Sequence, residues 1–448
     1  MNTDTIVAVA TPAGKGGVAV VRLSGSEALA VAMGHLTASR LQPRKATFCR
    51  FTDTAGQLVD EVLATWFPAP HSYTGEEMVE ISCHGSPYVQ QEVVAELIAS
   101  GARLAEPGEF TLRAFANGKL DLSQAEAVAD LIDSATPAQH RLAVSQLRGG
   151  YANELKRLRQ QLLDLTSLLE LELDFSQEDV EFADRCTMLD TVAQLQSRVQ
   201  SLLGSFSTGN ALKQGVPVAI LGRANAGKST LLNALLGDDR AIVSPIAGTT
   251  RDTIEVTMTI DGITFRFIDT AGLSQSDDEL EALGFARSIK AAQQATILLF
   301  VRSVTIPFNA YATDDIAYFT DQCDMSSKHL FIVHNKCDLP HESNPPGHIV
   351  SAKEGLGIDS LKASMVAAMR KDASANDGVL LTNLRHRSAL QRVQEALLHV
   401  AEGLGQQMPT DLVAVDLRDA IYHLGTITGD VTNDELLGNI FSRFCVGK

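Results

Sequence analysis

A short glycine-rich segment constrains the fold of this chain more than any other feature. Gly222-Arg-Ala-Asn-Ala-Gly-Lys-Ser229 matches G-x-x-x-x-G-K-S/T, follows the apolar stretch Val216–Leu221 and precedes the helical run Thr230–Leu236. In that setting the glycines let backbone N–H groups turn towards phosphate, Lys228 supplies positive charge between the β- and γ-phosphates, and Ser229 offers an oxygen to Mg²⁺. The segment predicts a phosphate-binding loop in an α/β domain, with contacts from Asn225, Ala226, Gly227, Lys228, Ser229 and Thr230.

Three further motifs follow in the order found in Ras-like GTPases. Asp269-Thr-Ala-Gly272 ends a predicted strand, so its carboxylate can reach the shell of the metal. Asn335-Lys-Cys-Asp338 resembles the guanine-reading motif, whose aspartate accepts hydrogen bonds from two N–H groups that adenine lacks. Ser351-Ala-Lys353 resembles the segment that backs the guanine. The set predicts GTP as ligand, with contacts from Asp269, Thr270, Ala271, Gly272, Asn335, Lys336, Asp338, Ser351, Ala352 and Lys353.

The groups that assist hydrolysis are less clear from the residues alone. Either Thr249 or Thr250 could ligate Mg²⁺ as the switch threonine. Leu273 stands where many Ras-like enzymes have a water-orienting glutamine, so another group must position the water. The acidic run 277–281 offers carboxylates for this, although such a run is more often a solvated helix start.

The apolar patterns predict both strands and helices in two regions of the chain, one near the N-terminus and one from Val216 onwards. Near the N-terminus, Thr5–Ala10, Val18–Leu23 and Met78–Ser82 read as strands and Gln90–Ala99 as a helix. From Val216 onwards, strands alternate with helices, which predicts a largely parallel sheet. The predicted strands are Val216–Leu221, Thr253–Ile260, Ile263–Ile268, Thr296–Val301, Leu330–Val333 and His348–Val350.

Two helical segments flank this α/β part. Ser123-Gln-Ala-Glu126 and Thr432-Asn-Asp-Glu435 predict capped helices, and 371–378 reads as a polar linker. Spacings of three and four residues predict apolar helix faces, more plausibly an intramolecular bundle than an intermolecular coiled coil. The faces are formed by Leu155, Leu158, Leu162, Leu165 and Leu169, by Leu390, Val393, Leu397 and Val400, and by Val413, Leu417, Ile421 and Leu424.

We therefore predict an α/β plus α architecture. A Ras-like P-loop GTPase domain at 214–370 is inserted into a helical bundle domain whose halves are 119–213 and 371–448. An N-terminal α+β domain covers 1–118. The length of 448 residues suits three domains of ordinary size.

The negative net charge of this chain limits how it can bind nucleic acid. The formal net charge is −17, and each predicted segment is acidic, so contact with a phosphate backbone needs a local basic patch or a partner protein. The available clusters are Arg148, Lys156, Arg157 and Arg159 in one helical half, and Arg385, Arg387 and Arg392 in the other. The six cysteines are scattered, and neither a signal peptide nor a membrane span is visible, which favours a cytoplasmic protein.

Taken together, the motifs resemble the MnmE (TrmE) family of bacterial tRNA-modifying GTPases over essentially the whole chain. Besides the nucleotide motifs, the resemblance rests on N-terminal stretches and on the C-terminal Phe444-Cys-Val-Gly-Lys448. The N-terminal stretches include Tyr73-Thr-Gly-Glu-Glu, Cys83-His-Gly, Pro107-Gly-Glu-Phe-Thr and Lys119-Leu-Asp-Leu-Ser-Gln-Ala-Glu-Ala.

The resemblance implies a K⁺-stimulated GTPase whose G domains face one another across a homodimer. It selects Thr250 as the Mg²⁺-ligating switch threonine beside Ser229, and Glu281 as the residue that orients the attacking water, with Lys228 also catalytic. The K⁺ ligands that it implies are Asn225, Ser244, Ile246 and Thr249. Pro245 stands where an acidic residue is familiar in the family, which bears on the conformation of that loop.

The resemblance also implies a folate site, a partner and a substrate. Arg22, Glu80, Lys119 and Lys448 match positions that contact a 5-formyl- or methylene-type tetrahydrofolate, and Cys445 matches a candidate functional thiol. Without the resemblance, these residues read as surface or salt-bridge residues and a small buried cysteine. The partner would be the FAD protein MnmG, in a heterotetramer or larger assembly, adding a carboxymethylaminomethyl or aminomethyl group to C5 of the wobble uridine of certain tRNAs.

Two other functions fit parts of the pattern. A ribosome-assembly GTPase would share the nucleotide motifs, but such proteins usually carry a basic RNA-binding appendage, and none is visible in the sequence. A folate-binding scaffold with a vestigial G domain is disfavoured because Lys228, Ser229, Asp269 and Asp338 are all present.

Overall fold

The computed structural model describes residues 4–174, 185–223, 225–237, 256–268, 281–305, 316, 320–325, 328–340, 345–374, 379–442 and 444–447. The chain divides into two compact units. One comprises residues 1–132, 146–155 and 424–448, and the other comprises 133–145 and 156–423.

Twelve strands and fourteen helices lie within the described residues. The strands are β1 Ile6–Val9, β2 Ala19–Ser24, β3 Thr47–Thr52, β4 Leu58–Phe67, β5 Met78–Cys83, β6 Arg103–Leu104, β7 Val216–Leu221, β8 Val256–Ile260, β9 Ile263–Phe267, β10 Ile297–Ser303, β11 His329–Asn335 and β12 His348–Ile349. The helices are α1 Ala28–Met33, α2 Pro87–Ala99, α3 Glu109–Ala116, α4 Leu122–Asp133, α5 Pro137–Leu147, α6 Gly150–Asp174, α7 Arg185–Gly204, α8 Phe206–Gln214, α9 Lys228–Leu236, α10 Glu281–Gln294, α11 Ile358–Ser374, α12 Leu384–Gly405, α13 Thr410–Thr428 and α14 Asp434–Phe441.

The first unit is built on a six-stranded sheet in the order β3-β4-β5-β2-β1-β6. Neighbouring strands are antiparallel except β1 and β6. Side chains alternate between the faces, so Val21, Phe51 and Ile81 join a core that also includes Val93 and Leu97 of α2. The predicted strands β1, β2 and β5 and the predicted helix α2 are confirmed, whereas the sequence analysis missed β3 and β4.

The two predicted capping boxes are wrong in detail. Helix α4 begins at Leu122, and Asp121 caps it: Asp121 Oδ1 accepts from the Gln124 amide, and Gln124 Oε1 accepts from the Asp121 amide. This reciprocal pair lies two residues before the predicted Ser123 and Glu126. In α14 the N-cap is Asn433, whose side chain accepts from the Leu436 amide, one residue after the predicted Thr432.

The second unit contains the sheet predicted from the alternating pattern. Its order is β12-β11-β10-β7-β9-β8, and all neighbours are parallel except the edge pair β8 and β9. Every residue of β10 is buried, as expected for a central strand covered on both faces. Val218 and Leu299 contribute to the core on one face, and Ala219 and Leu298 to the core on the other.

The helical parts also follow their predicted faces. The five leucines of the α6 pattern are at most 3% exposed, which confirms the intramolecular burial of that face. Helix α7, before the α/β part, packs against α12, after it, and the Gln196 side chain donates to the carbonyl oxygen of Leu397 over 3.0 Å. The predicted polar linker begins too early, because α11 continues to Ser374.

Candidate functional site

The predicted phosphate-binding loop connects β7 to α9 in a shape that requires glycine at two positions. Gly222 has φ +136°, and a Cβ there would lie 2.2 Å from the carbonyl oxygen of Val301. Gly227 has φ +93°, and its Cβ would lie 2.2 Å from Nδ2 of Asn335. Both contacts are far inside van der Waals distance, so any side chain would displace the loop.

Lys228 lies at the first position of α9 and reaches back over this loop. Its ammonium donates hydrogen bonds of 2.8 Å each to the carbonyl oxygens of Gly222 and Arg223. Burial lowers the pKa of the ammonium. The cation is thus held within the loop, at the positive end of α9, where phosphate oxygens would bind.

Other predicted contacts lie on the same loop and turn. Ser229 and Thr230 belong to the first turn of α9, and Ala226 is buried beneath the loop. Asn225 is exposed with φ +58°, and its side chain makes no hydrogen bond to another described residue. Its amide oxygen is therefore available to a cation.

Asn335 joins three of the predicted motifs. Its Nδ2 donates to the carbonyl oxygen of Ala226 over 3.1 Å, and its Oδ1 accepts from the amides of Lys336 (2.8 Å) and Ala352 (3.0 Å). The side chain is 2% exposed, so these bonds are shielded from water. Asn335 ends β11 and the loop follows β7, and both strand ends lie at the carboxyl edge of the parallel sheet, where α/β proteins place ligands.

Asp338 and Ser351 come from the two motifs that were predicted to contact the guanine, and they lie side by side. The Ser351 hydroxyl donates to Oδ1 of Asp338 over 2.6 Å, and this bond is the main reason that the pKa of the Asp338 carboxyl lies below its ordinary value. An ionised carboxylate can accept both N–H groups of a guanine edge. Lys336 has φ +70°, and Lys353 is exposed beside Glu354.

Several predicted residues lie outside the described part of the chain. They are Ser244, Ile246, Thr249, Thr250, Asp269, Thr270, Ala271, Gly272 and Lys448. Glu281 is the first residue of α10, and its side chain is not among those described.

In the first unit, strand register brings Arg22 and Glu80 together. They are directly opposite on β2 and β5, and the guanidinium donates to Glu80 Oε1 through Nε at 2.9 Å and Nη2 at 2.8 Å. The Arg22 guanidinium also lies 5.4 Å from the centre of the Tyr73 ring and 5.7 Å from that of Phe110. The result is a fixed cation between a carboxylate and two aromatic faces.

The C-terminal tail returns to the same place. The carbonyl oxygen of Gly447 accepts from Nη1 of Arg22 over 3.4 Å, and Val446 forms a β-bridge with Pro107. A Cβ on Gly447 would lie 2.3 Å from the carbonyl oxygen of Val9, so the tail is closely packed. Cys445 lies on this tail and is exposed, so the expectation of a small buried residue there is wrong.

Lys119 makes no hydrogen bond or ion pair with Arg22 or Glu80, nor with the described part of the C-terminal tail. Its ammonium donates to the carbonyl oxygen of Pro70 over 3.0 Å, and its side chain packs on Gly75. It therefore contacts the loop that carries Tyr73. Tyr73 and Phe110 each stand within a family motif, but no role was predicted for either; the aromatic residue inside such a motif was the available signal.

A buried ion network behind Tyr73 was also missed. Arg113, whose side chain is 9% exposed, contacts Asp4 at 2.9 Å, Glu109 at 3.0 Å and Glu76 at 3.2 Å. Glu76 accepts from Ser24, and the Tyr73 hydroxyl is 2.9 Å from that of Thr111 on α3. These bonds fix the loop 72–77 to β2 and α3.

Comparison with known proteins places this arrangement in a family. The model of the MnmE helical domain matches residues 122–445, and that of the GTP-binding protein TrmE N-terminus matches residues 5–119. The proteins called tRNA modification GTPase MnmE from Christiangramia forsetii and from Bacteroides fragilis strain YCH46 are each 46% identical to this chain. The former match covers 99% of both chains and the latter 100% of both. The chain belongs to the MnmE family.

The family resemblance predicted from the sequence is thus confirmed over the full length. A third MnmE relative, from Flavobacterium johnsoniae, is 44% identical over 100% of both chains. Among solved structures, the G domain of the T. maritima FeoB iron transporter covers 34% of this chain and 97% of its own, with 22% identity and a TM-score of 0.26. None of the described helices combines the length and the hydropathy that a bilayer crossing requires.

Proposed function

We propose that this member of the MnmE family hydrolyses GTP with K⁺ stimulation and, with the FAD protein MnmG, modifies C5 of the wobble uridine of certain tRNAs. The motifs predict a GTPase and the resemblance implies tRNA modification; this enzyme class is confirmed by the relatives called tRNA modification GTPase at up to 46% identity. The observation that carries the proposal is the bonding of Asn335 to Ala226 and Ala352, which joins the phosphate loop to the base-reading residues.

The described residues account for how the nucleotide would be held. The ammonium of Lys228 would exchange the carbonyl oxygens of Gly222 and Arg223 for phosphate oxygens, which gain more from a cation. Asp338, kept ionised by Ser351, would accept the guanine N–H groups. The loss of either interaction would weaken nucleotide binding and also leave the nucleotide misaligned for hydrolysis. Alignment matters because catalysis of phosphoryl transfer consists mainly of positioning and charge stabilisation.

The donor atoms present suit the two cations that the family implies. Ser229 on the first turn of α9 offers a hard hydroxyl oxygen to Mg²⁺, with Thr250 as the second proposed ligand. Asn225 offers an amide oxygen with no other described partner to K⁺, with Ser244, Ile246 and Thr249 completing the proposed set. When bound, the cations neutralise charge on the phosphates, and Glu281 is proposed to orient the water.

The first unit fits a tetrahydrofolate derivative, 5-formyl or methylene in type. Glu80 can pair with the N–H edge of a pterin, Tyr73 and Phe110 offer ring faces, and Arg22 can bind a carboxylate of the glutamyl tail. Lys119 and Lys448 are proposed to add positive charge, and Cys445 is a candidate thiol.

We also propose the larger arrangement predicted from the sequence. The G domain, 214–370, would be inserted between the helical halves 119–213 and 371–448, after the N-terminal domain 1–118. The packing of α7 against α12 supports this, as does the hydrogen bond of 3.0 Å from the Leu381 amide to the buried Ser205 hydroxyl. The homodimer and the heterotetramer or larger assembly with MnmG belong to the same proposal, as does a cytoplasmic location.

A salt comparison tests the GTPase mechanism. At fixed Mg²⁺, GTP turnover should be faster in KCl than in NaCl, and Asn225→Ala should abolish the difference. Asn233→Ala is the matched control, because Asn233 is an exposed amide on α9 outside the loop. Equal turnover of the parent chain in the two salts contradicts the K⁺ proposal.

Nucleoside analysis tests the tRNA assignment. Cells that lack this gene should lose the carboxymethylaminomethyl or aminomethyl group from wobble uridines, and the intact gene should restore it. A Lys228→Ala gene should not restore it, because the phosphate cation is lost. Unchanged wobble uridines in the deletion strain contradict the assignment.

A further inference from the structure

The second unit contains a cleft with no part in the proposed GTP site. It has a volume of about 860 Å³. Its walls come from the end of α7, from α8, from the start of α12, from the last residues of α10 and from the amino ends of β7 and β10. The phosphate loop follows the carboxyl end of β7, so the two sites lie at opposite ends of that strand. We call the second site the basal cleft.

The charges in the basal cleft oppose the charge of the protein. Its charged lining residues are Arg266, Lys328, Arg387 and Asp324, three cations and one carboxylate. The whole chain carries −17. A local excess of positive charge in an acidic protein favours an anionic ligand at this place.

Arg387 is held in a way that leaves its N–H groups available. Its guanidinium lies over the ring of Phe206, 4.8 Å from the centre, and Phe206 also lines the cleft. Stacking uses the face of the guanidinium and leaves its edge, which carries the N–H donors. Within the described part of the chain, no carboxylate lies within ion-pair distance of Arg387.

Lys328 offsets partial negative charge of the backbone at the carboxyl end of α10, which lines the same cleft. It donates to the carbonyl oxygens of Gln293 (2.8 Å) and Ala295 (2.6 Å), at the carboxyl end of α10. That end carries partial negative charge, which the ammonium offsets. Burial lowers the pKa of Lys328, and one N–H of its ammonium is not used by these two bonds.

Amide side chains supply most of the remaining polar lining. Five of them, Gln200, Asn210, Gln214, Gln294 and Gln391, make no hydrogen bond to another described residue. Sites for apolar ligands are lined mainly by hydrophobic groups, and this cleft is not. Amides that face a cleft can both donate to and accept from the edges of a nucleobase.

We propose that the basal cleft binds a nucleotide through its phosphate, with Arg387 as the main phosphate contact and the amides as contacts to the base. The volume falls within the range of small-ligand sites, about 300–1,000 Å³. A free nucleotide and one nucleotide of an RNA strand share this chemistry. The site does not depend on the proposed GTPase mechanism, since no residue is common to the two sites.

Binding assays with the full-length chain test the proposal while GDP and Mg²⁺ saturate the phosphate loop. The probes are cytidine monophosphate and an unmodified tRNA transcript, measured by calorimetry and filter binding at low ionic strength. Arg387→Gln removes a phosphate contact, and Gln391→Glu places a negative charge in the cleft. Each should weaken binding at least about tenfold, since Arg387→Gln loses a charged hydrogen bond to phosphate and Gln391→Glu places a carboxylate where it repels the phosphate.

Arg392→Gln is the matched control. Arg392 lies on the same helix and in the same basic cluster of the sequence, but it is exposed, pairs with Glu395 and does not line the cleft. Its loss should leave the binding of cytidine monophosphate unchanged. If Arg387→Gln lowers the melting temperature, Gln391→Glu still tests the cleft, because the Gln391 side chain is exposed and makes no hydrogen bond to another described residue.

The two probes separate the two sources of the ligand. A loss seen with cytidine monophosphate supports a free nucleotide, and a loss seen with tRNA alone supports an RNA strand. The proposal is wrong if neither probe binds the parent chain. It is also wrong if Gln391→Glu binds both probes as the parent chain does.

Discussion

The side-chain amide of Asn335 donates a hydrogen bond of 3.1 Å to the backbone carbonyl oxygen of Ala226, 109 residues earlier in the chain. With Oδ1 it also accepts from Ala352, so one buried side chain sets the distance between the phosphate loop and the base-reading loops. The arrangement depends on Gly227, because a Cβ there would occupy the place of Nδ2. A shift of the phosphate loop would therefore also shift the residues that contact the base.

Asn335→Ala should therefore weaken the binding of GDP and GTP alike. It leaves buried partners unsatisfied, at about 1–3 kcal/mol for each group, so we expect a loss of about tenfold to a hundredfold in affinity. Fluorescence titration with a labelled GDP measures it. Asn233→Ala, on the exposed face of α9, should bind as the parent chain does, and equal affinities for the two variants would show that Asn335 does not organise the site.

Asp338→Asn should change which base the site prefers. The substitution replaces an acceptor oxygen by an amide donor, which suits a base with a carbonyl at C2, such as xanthine, and leaves the guanine amine without a partner. We expect guanosine diphosphate to lose about a hundredfold in affinity and xanthosine diphosphate to gain. Asp359→Asn, at an exposed position on α11, is the control. An unchanged ratio of the two affinities would contradict the assignment.

The secondary structure was predictable where the apolar residues follow a clear pattern. The leucines along one face of α6 and the continuous apolar run of the buried strand β10 show such patterns, and both appear in the structure as expected. Strands β3 and β4 do not, because Phe48 and Leu63, directly opposite one another, are 66% and 46% exposed. Apolar residues on both faces conceal the alternation that marks a half-buried strand.

The candidate sites also differ in how far the sequence predicts them. The phosphate loop was predictable since its chemistry lies within eight consecutive residues. The pairing of Arg22 with Glu80 depends on strand register, and the positions of Tyr73 and Phe110 beside them depend on tertiary packing. A single sequence carries no local signal for either, so only the family resemblance pointed to Arg22 and Glu80. The cap of α4 was misplaced because Asp121 and Ser123 are both suitable cap residues.

The Arg113 network should make the stability of the first unit depend on pH. Hydrogen bonds from Arg103 and Arg113 lower the pKa of Asp4; burial alone would raise the pKa of Glu109, but its bonds to Arg103, Glu106 and Arg113 lower it overall. Carboxyls with lowered pKa values stabilise the fold fully above their ordinary values of 3.8 and 4.5, and this stabilisation is lost as the pH falls through the native values.

Arg113→Met should weaken this dependence. Asp4 and Glu109 then keep only Arg103 as a cationic partner, so their ionised forms stabilise the fold less, and the difference in stability from the parent chain should shrink as the pH falls from about 5 to about 3. We expect a loss of about 2–3 kcal/mol at pH 7, less than for a fully buried pair because Asp4 and Glu76 are partly exposed. Urea unfolding followed by Trp66, the single tryptophan, reports on this unit.

The control for this change is Arg50→Met, which breaks an exposed pair with Glu61 in the same sheet and should cost less than about 1 kcal/mol at either pH. A loss in Arg113→Met that is the same at pH 7 and at about pH 3 would mean that the network contributes packing and not charge.

Glu80→Gln tests the pocket around Arg22. The carboxylate both orients the guanidinium and offers two acceptors to a pterin edge, whereas the amide offers one acceptor and a donor in the wrong place. We expect the affinity for 5-formyltetrahydrofolate, measured by calorimetry, to fall at least about tenfold, since a lost charged hydrogen bond is worth about 1.5–3 kcal/mol. Glu61→Gln, in the exposed pair with Arg50, should bind the ligand as the parent chain does. If the two variants bind equally well, Glu80 only positions Arg22, and the pterin edge must be read by another group.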